Sequence, residues 1–214
     1  MMNFSTLLFD LDGTLTDPKI GITKSVHYAL TKFNIYVDDL DNLDLFIGPP
    51  LAKSFMDLYS FSESQAKTAV EYYREYFSTN GIYENELYEG IMDLLELVSR
   101  DHILIVATSK PTVFAEKILN YFNISKYFDF VCGSNLDGTM SDKTEIIKYL
   151  IDARNLVKDR TIMIGDRKHD IIGAHNNQIA SIGVGYGYGS EEEIINIKPT
   201  YHIKTVKELL EAFS

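Results

Sequence analysis

A chain of 214 residues, 45% of them hydrophobic and 24% charged with both signs interspersed, has room for one core, or for a core carrying an inserted domain, and is neither fibrous nor disordered in composition. Its 31 acids outnumber its 20 bases for a formal charge of −11, which repels polyanions and sets nucleic acid aside as a partner, although a locally positive site can still take a small phosphorylated metabolite. A single cysteine, Cys132, excludes an internal disulfide, and the first apolar run is broken by Asp10 and Asp12, so neither signal peptide nor membrane span is read and a cytoplasmic setting is expected.

Taken in chain order, residues 6–9 (Thr-Leu-Leu-Phe) form a near-continuous apolar run that stops abruptly at Asp10, as a strand buried on both faces of a parallel sheet would. Residues 17–89 then read as several helices with no convincing buried strand. Asp17-Pro18 is expected to supply an N-cap and a proline at the first helical position, followed by Ile22, Val26, Ala29, Leu30 and Phe33 at helical spacing. Within this stretch Phe46-Ile47-Gly48-Pro49-Pro50-Leu51, with Lys53 just beyond, predicts a stiff, helix-free bend, and Ile47, Leu51 and Lys53 are expected to form a specificity loop. Residues 62–77 predict a further helix with Ala66, Ala69, Val70 and Tyr73 on one side.

Beyond residue 90 strands and helices alternate. Helical period covers residues 91–100, 111–122, 144–154 and 170–177. Between them lie apolar runs at 103–107, 128–132, 161–164 and 180–184. The pattern predicts an α/β doubly wound parallel sheet, Rossmann-like, over residues 1–16 and 90–214, with an inserted all-helical cap domain at 17–89. In such sheets ligands bind outside the carboxyl ends of the strands, so residues distant in sequence are expected to meet in one crevice.

The residues at those strand ends are chemically specific. In Phe9-Asp10-Leu11-Asp12-Gly13-Thr14 the two carboxylates are one residue apart in extended chain and project to the same side, which supplies a nucleophile and an acid/base close together. As isolated residues they would do no more than end a strand and cap a turn. Thr108, after the run 103–107, is placed to hydrogen-bond a phosphoryl oxygen, and Lys143 can neutralise both Asp10 and a phosphate. Lys110 is its rival, made the weaker candidate by its position beyond Thr108-Ser109. Gly165-Asp166 and Asp170 put two acids four residues apart at a strand end and a helix start, where they can share a Mg²⁺ directly or through water.

These motifs, in this order, resemble those of the haloacid dehalogenase-like phosphatases, and the resemblance spans the chain, with residues 17–89 resembling the helical cap. The phosphoglycolate phosphatase-like branch, which includes enzymes for nucleotides, pyrophosphate and sugar phosphates, is the most similar. The resemblance implies a Mg²⁺-dependent phosphatase for a small phosphomonoester, with Asp10 as nucleophile and Asp12 as acid/base. It further implies Thr108 and Lys143 as phosphate ligands, and a metal held by Asp10, the Asp12 carbonyl and Asp166, with Asp170 nearby. Gly165 before Asp166 leans away from the phosphosugar mutases. A phosphoaccepting signalling domain also combines acids, a threonine and a lysine at a sheet end, but Asp12 and the long insertion disfavour it. Oligomeric state leaves no legible mark.

Other signals carry no chemistry of their own. Asn135-Leu136-Asp137-Gly138-Thr139 repeats the first motif with an amide in place of the nucleophile, and Gly133 to Gly138 has the glycine spacing of a phosphate-binding loop, but Thr139 and Met140 stand where its lysine and serine or threonine are required. Cys132 is expected in the core. Gly183, Gly185, Gly187 and Gly189 alternate strictly and predict a flexible loop at the ligand end of the sheet.

Overall fold

A computed structural model describes residues 2–214. Two compact units are present, Met1–Asp17 with Leu87–Ser214, and Pro18–Glu86. The chain therefore leaves the first unit after Asp17 and re-enters it at Leu87, where the hydrophobic pattern of the sequence sets the limits at residues 16 and 90.

In chain order the elements begin with β1 (Thr6–Phe9) and the two-residue β2 (Thr16–Asp17). The inserted unit contains α1 (Lys19–Thr31), α2 (Leu51–Tyr59) and α3 (Glu63–Tyr76), with a 3-10 turn at Leu40–Phe46 and a π turn at Phe77–Gly81. Then come β3 (Glu86–Leu87), α4 (Ile91–Val98), β4 (Ile103–Pro111) and α5 (Thr112–Tyr121). These are followed by β5 (Phe130–Ser134), α6 (Lys143–Arg154), β6 (Thr161–Gly165) and α7 (Lys168–Asn176). The chain ends with β7 (Ala180–Val184), α8 (Glu191–Ile197), β8 (Tyr201–Ile203) and α9 (Val206–Phe213).

The main sheet has the order β5-β4-β1-β6-β7-β8, every pair parallel. β1 is central, with β4 and β5 on one side and β6, β7 and β8 on the other, so the winding reverses at β1, the position where open α/β sheets leave a crevice. Register sharpens this. Phe9 pairs with Val106 on one side and Ile164 on the other, so the next residues out of the three strands, Asp10, Ala107 and Gly165, arrive level, with Thr108 and Asp166 one step beyond. Below them Leu8, Ile105, Met163 and Cys132 pack against Ile146, Ile147 and Leu150 of α6 and Ala174 of α7. Burying these apolar groups, at roughly 25 cal/mol per Å², holds the sheet as a rigid platform for the polar ends.

The inserted unit is held by a different kind of interior. Ser62 starts α3 with a capping box, its hydroxyl accepting from Gln65 N while Gln65 Oε1 accepts from Ser62 N. Phe46 and Phe55 meet edge-on at 4.9 Å, and Phe55 stacks on Phe61 at 5.8 Å.

Two local expectations are corrected here. α1 begins at Lys19 with Pro18 as its N-cap and no side-chain cap, because the Asp17 carboxylate accepts the Tyr188 hydroxyl instead. The bend at Gly48-Pro49-Pro50 is short. Pro50, with φ −58°, is the N-cap of α2, and a proline at a helix start loses no hydrogen bond, so Leu51 and Lys53 lie in the first turn of a helix. Ile47 is fully buried, and Lys53 pairs with Asp57 at 3.0 Å on an exposed helix face. Among the described residues no helix is long and apolar enough to cross a membrane.

Candidate active site

The strand ends of the core unit gather Asp10, Asp12, Thr108, Lys143, Asp166 and Asp170, all buried. Asp10 follows β1 directly. Its Oδ1 accepts the Leu11 N–H at 2.7 Å and lies 2.8 Å from Lys143 Nζ. Gly13 then turns the chain with φ +85°, which only glycine adopts without strain, and a Cβ there would fall 2.2 Å from Asp166 Oδ2. Thr14 sends its hydroxyl to Asp166 Oδ1 at 3.3 Å.

Lys143 is the first residue of α6, whose N-cap Asp142 accepts from Thr144 N. From there its ammonium donates to Ala107 O at 2.9 Å and to Asp170 Oδ1 at 2.5 Å, besides facing Asp10. Burial alone lowers the affinity of this amine for its proton, but Asp10 and Asp170 outweigh burial and raise it, so Lys143 is a fixed positive charge. Asp170, in the first turn of α7, also accepts the Arg167 N–H at 3.0 Å.

Asp10, Asp166 and Asp170 each offer a carboxylate oxygen within 4.8 Å of the other two. Burial pushes the Asp166 carboxyl up to about 8, with repulsion from Asp170 and Asp10 adding to it. Asp170 is raised by burial too, against the pull of Lys143. Lys143 pairs with Asp10 and Asp170, which leaves the three crowded buried acids short of positive charge. Hard carboxylate oxygens at this spacing fit Mg²⁺, whose charge would favour the anionic forms of Asp166 and Asp170.

The Asp12 carboxylate stands outside that trio. Its Oδ2 lies 2.6 Å from Lys110 Nζ, while Oδ1 is buried without a hydrogen-bond partner. Burial raises its pKa and Lys110 opposes the rise. Thr108 is buried as well, its hydroxyl accepting from Lys110 N at 3.3 Å.

Sequence reasoning undervalues Lys110 and Asp170. Lys110 sits two residues beyond Thr108 where the pairing of β4 with β5 shifts register, between Ala107 and Pro111, and that irregularity has no sequence signature. Asp170 is legible as an acid that can share a metal with Asp166, but its bond to Lys143 is not. The glycine-alternating loop is also not the flexible element expected, since its Tyr188 N–H donates to Asp166 Oδ2 at 2.7 Å and the Tyr186 hydroxyl to Thr14 O at 3.0 Å.

A parallel sheet that collects carboxylates, ammonium groups and a threonine hydroxyl at the carboxyl ends of its central strands is the framework of an α/β phosphohydrolase. Comparison with known proteins makes this particular. The model of the family described as haloacid dehalogenase-like hydrolase matches residues 7–184. A 5′-nucleotidase of Pseudomonas aeruginosa is 48% identical over 99% of this chain and 97% of its own. The tyrosine-protein kinase PtkA of Mycobacterium tuberculosis is 35% identical over 96% of this chain and 71% of its own. The crystal structure of a predicted phosphatase from Clostridium acetobutylicum superposes with a TM-score of 0.96 at 49% identity, covering 99% of this chain and 98% of that one. The chain belongs to the haloacid dehalogenase-like hydrolases, and it is a phosphoric monoester hydrolase.

Proposed function

We propose that the protein hydrolyses a small phosphomonoester, a nucleoside 5′-monophosphate first among the candidates, through a phosphoryl group carried on Asp10. The observation that carries the reading is the division of the buried acids. Asp10 faces the Lys143 ammonium within the trio, whereas Asp12 is held apart by Lys110 with one oxygen unpartnered. One carboxylate is thus set up to be attacking anion and the other to exchange a proton.

In the first step an Asp10 oxygen bonds to phosphorus as the ester P–O bond breaks, and Asp12 gives its proton to the departing oxygen. In the second, Asp12 takes a proton from a water that attacks phosphorus, which frees Asp10 and releases inorganic phosphate. Lys143 and the Thr108 hydroxyl bind phosphoryl oxygens, and Lys143 offsets the charge that develops on them. Asp10, Asp166 and Asp170, with the Asp12 carbonyl, would hold Mg²⁺, which supplies charge neutralisation at the transferring group. All these groups address the phosphate common to every candidate substrate, so recognition of the leaving group falls to other residues. We assign it to the inserted unit Pro18–Glu86, including Leu51 and Lys53.

The nucleotide preference is supported by the 48% identical relative named 5′-nucleotidase. Phosphate release measured across nucleoside 5′-monophosphates, phosphoglycolate, sugar phosphates and pyrophosphate, with and without EDTA, tests both parts. Mg²⁺-dependent release, fastest from a nucleoside monophosphate, is expected, with Ca²⁺ a poor substitute because it prefers more ligands at longer distances. Full activity of metal-stripped protein in EDTA would remove the metal from the reading, and a faster reaction on another ester would move the substrate.

A further inference from the structure

The alternation Gly185-Tyr186-Gly187-Tyr188-Gly189 is used by none of the chemical roles above, yet the structure gives each half of it a physical reason. A Cβ on Gly187 would lie 2.2 Å from Gly13 O and 2.4 Å from Asp166 Cβ, and one on Gly189 would lie 1.9 Å from Asp166 O. The loop is therefore laid directly against the two turns that carry Asp10 to Thr14 and Asp166. Between the glycines stand the tyrosines. Tyr186 reaches Thr14 O and packs edge-on against Tyr88 at 5.1 Å. Tyr188 does two things at once. Its main-chain N–H donates to Asp166 Oδ2 at 2.7 Å, and its phenol donates to Asp17 Oδ1. Asp17 is the last residue of the core unit before the chain passes into Pro18–Glu86.

We propose that Tyr188 is a positioning residue that fixes the Asp166 carboxylate for the metal by tying it to Asp17, the residue at which the chain leaves the core. This rests on the reading of Asp166 as a metal ligand. A short N–H to carboxylate bond is directional, and it decides which lone pairs of Asp166 remain for a cation. The flanking glycines carry no side chains to anchor that peptide group, so the side chain between them does so, through the Tyr188 phenol, which donates to Asp17 and is also hydrogen-bonded with Tyr88. Loosening that anchor lets the amide swing and the carboxylate turn with it.

Mg²⁺ titrated calorimetrically into the metal-free full-length protein tests this without recourse to turnover. Tyr188→Phe, which keeps the ring and the amide, is expected to weaken Mg²⁺ binding about tenfold. Asp17→Ala should weaken it too, and the double variant by no more than Tyr188→Phe alone, because the Tyr188 phenol also bonds Tyr88. Asp17→Asn keeps an oxygen acceptor for the phenol and should bind within about twofold of wild type, which a role resting on the Asp17 charge would not allow. Unchanged affinity in Tyr188→Phe, effects that multiply in the double variant, or failure of Asp17→Asn to restore binding would each overturn the proposal. If wild type binds Mg²⁺, Asp166→Asn abolishes binding and Tyr188→Phe leaves it intact, only this inference fails. If wild type binds none, the metal reading fails with it.

Discussion

Both units bury apolar side chains, but among the described residues the charged groups that are buried all lie in the core unit. In the core unit Asp10, Asp12, Lys143, Asp166 and Asp170 are packed together out of solvent, Lys143 with 3% of its side chain exposed. In residues 18–86 the ion pairs stay at the surface, with Lys19–Asp44, Lys24–Glu84 and Lys53–Asp57 each solvent-reached, and the interior is filled by Phe46, Phe55, Ala69, Tyr73 and Phe77. Removing charges from water costs several kcal/mol per ion, and well-packed apolar residues of similar volume would usually be as stable or more so. A fold that nevertheless collects five ionisable groups at one strand end keeps them for chemistry. An aromatic interior with peripheral ion pairs needs only stability as its explanation. Chemistry is thus assigned to the core unit side chain by side chain, whereas the inserted unit is legible mainly as packing.

The strongest way to break that contrast is at Asp10. Asp10→Asn removes the nucleophile and should lower phosphate release by at least about 10⁴-fold with no phosphorylated protein formed. Retention of turnover, or phosphorylation at another residue in this variant, would show that the buried cluster is not the reacting group. Asp12→Asn sharpens the same point with a smaller loss, about 10²- to 10⁴-fold. On p-nitrophenyl phosphate the leaving group needs little proton donation, so a burst of p-nitrophenol should precede slow turnover, with phosphate held on Asp10 and visible by mass spectrometry of the quenched protein. If the two variants show the same burst and the same trapped phosphate, the division of roles between the acids is wrong. A wild-type phosphoryl mark that persisted for many turnover times would favour the phosphoaccepting reading instead.

How far the sequence can be read follows from the same contrast. Strands buried on both faces appear as unbroken apolar runs, so β1, β4, β6 and β7 and the acids at their ends are legible in the order of residues alone. The three-residue β8 is not, because an edge strand with Tyr201 exposed and only Ile203 buried has no run to see. Lys110 reads as the weaker of two lysines because its partner Asp12 is nearly a hundred residues away and the chain reaches it through a register shift. Pro49-Pro50 suggests a longer irregular segment because proline disfavours helix interiors, but Pro50 sits at a helix start, where it is harmless. The Gly-Tyr alternation is visible as a pattern, but its cause lies in close approach to Gly13 and Asp166, which only the folded chain brings together.

Packing predictions test the other half of the comparison. Phe55, fully buried between Phe46 and Phe61, should cost about 3–5 kcal/mol of stability when replaced by alanine. Urea unfolding of Phe55→Ala should show that loss. A change below about 1 kcal/mol would mean that the aromatic interior is not what holds residues 18–86 together.

The smallest effect is expected at Lys53, and it separates stability from specificity. The ammonium lies 3.0 Å from Asp57 one helical turn on, both side chains more than half exposed. An exposed pair four residues apart in a helix contributes about 0.3–0.5 kcal/mol, and screening reduces that further. Lys53→Ala should therefore leave the unfolding midpoint nearly unchanged and leave the Asp10 burst amplitude intact, since the residue plays no part in the core cluster. What it should alter, if the inserted unit reads the leaving group, is the ratio of rates between substrates. A lysine that contacts an anionic or hydroxylated leaving group is lost to that substrate and neutral to p-nitrophenyl phosphate, which offers it nothing to bind. The measurement is the ratio of kcat/KM for a nucleoside 5′-monophosphate to that for p-nitrophenyl phosphate, in wild type and in Lys53→Ala. A fall of about tenfold in that ratio at constant stability places specificity on this helix. An unchanged ratio, with Leu51→Ala equally silent, would remove the start of α2 from substrate recognition and leave it as packing and surface charge alone.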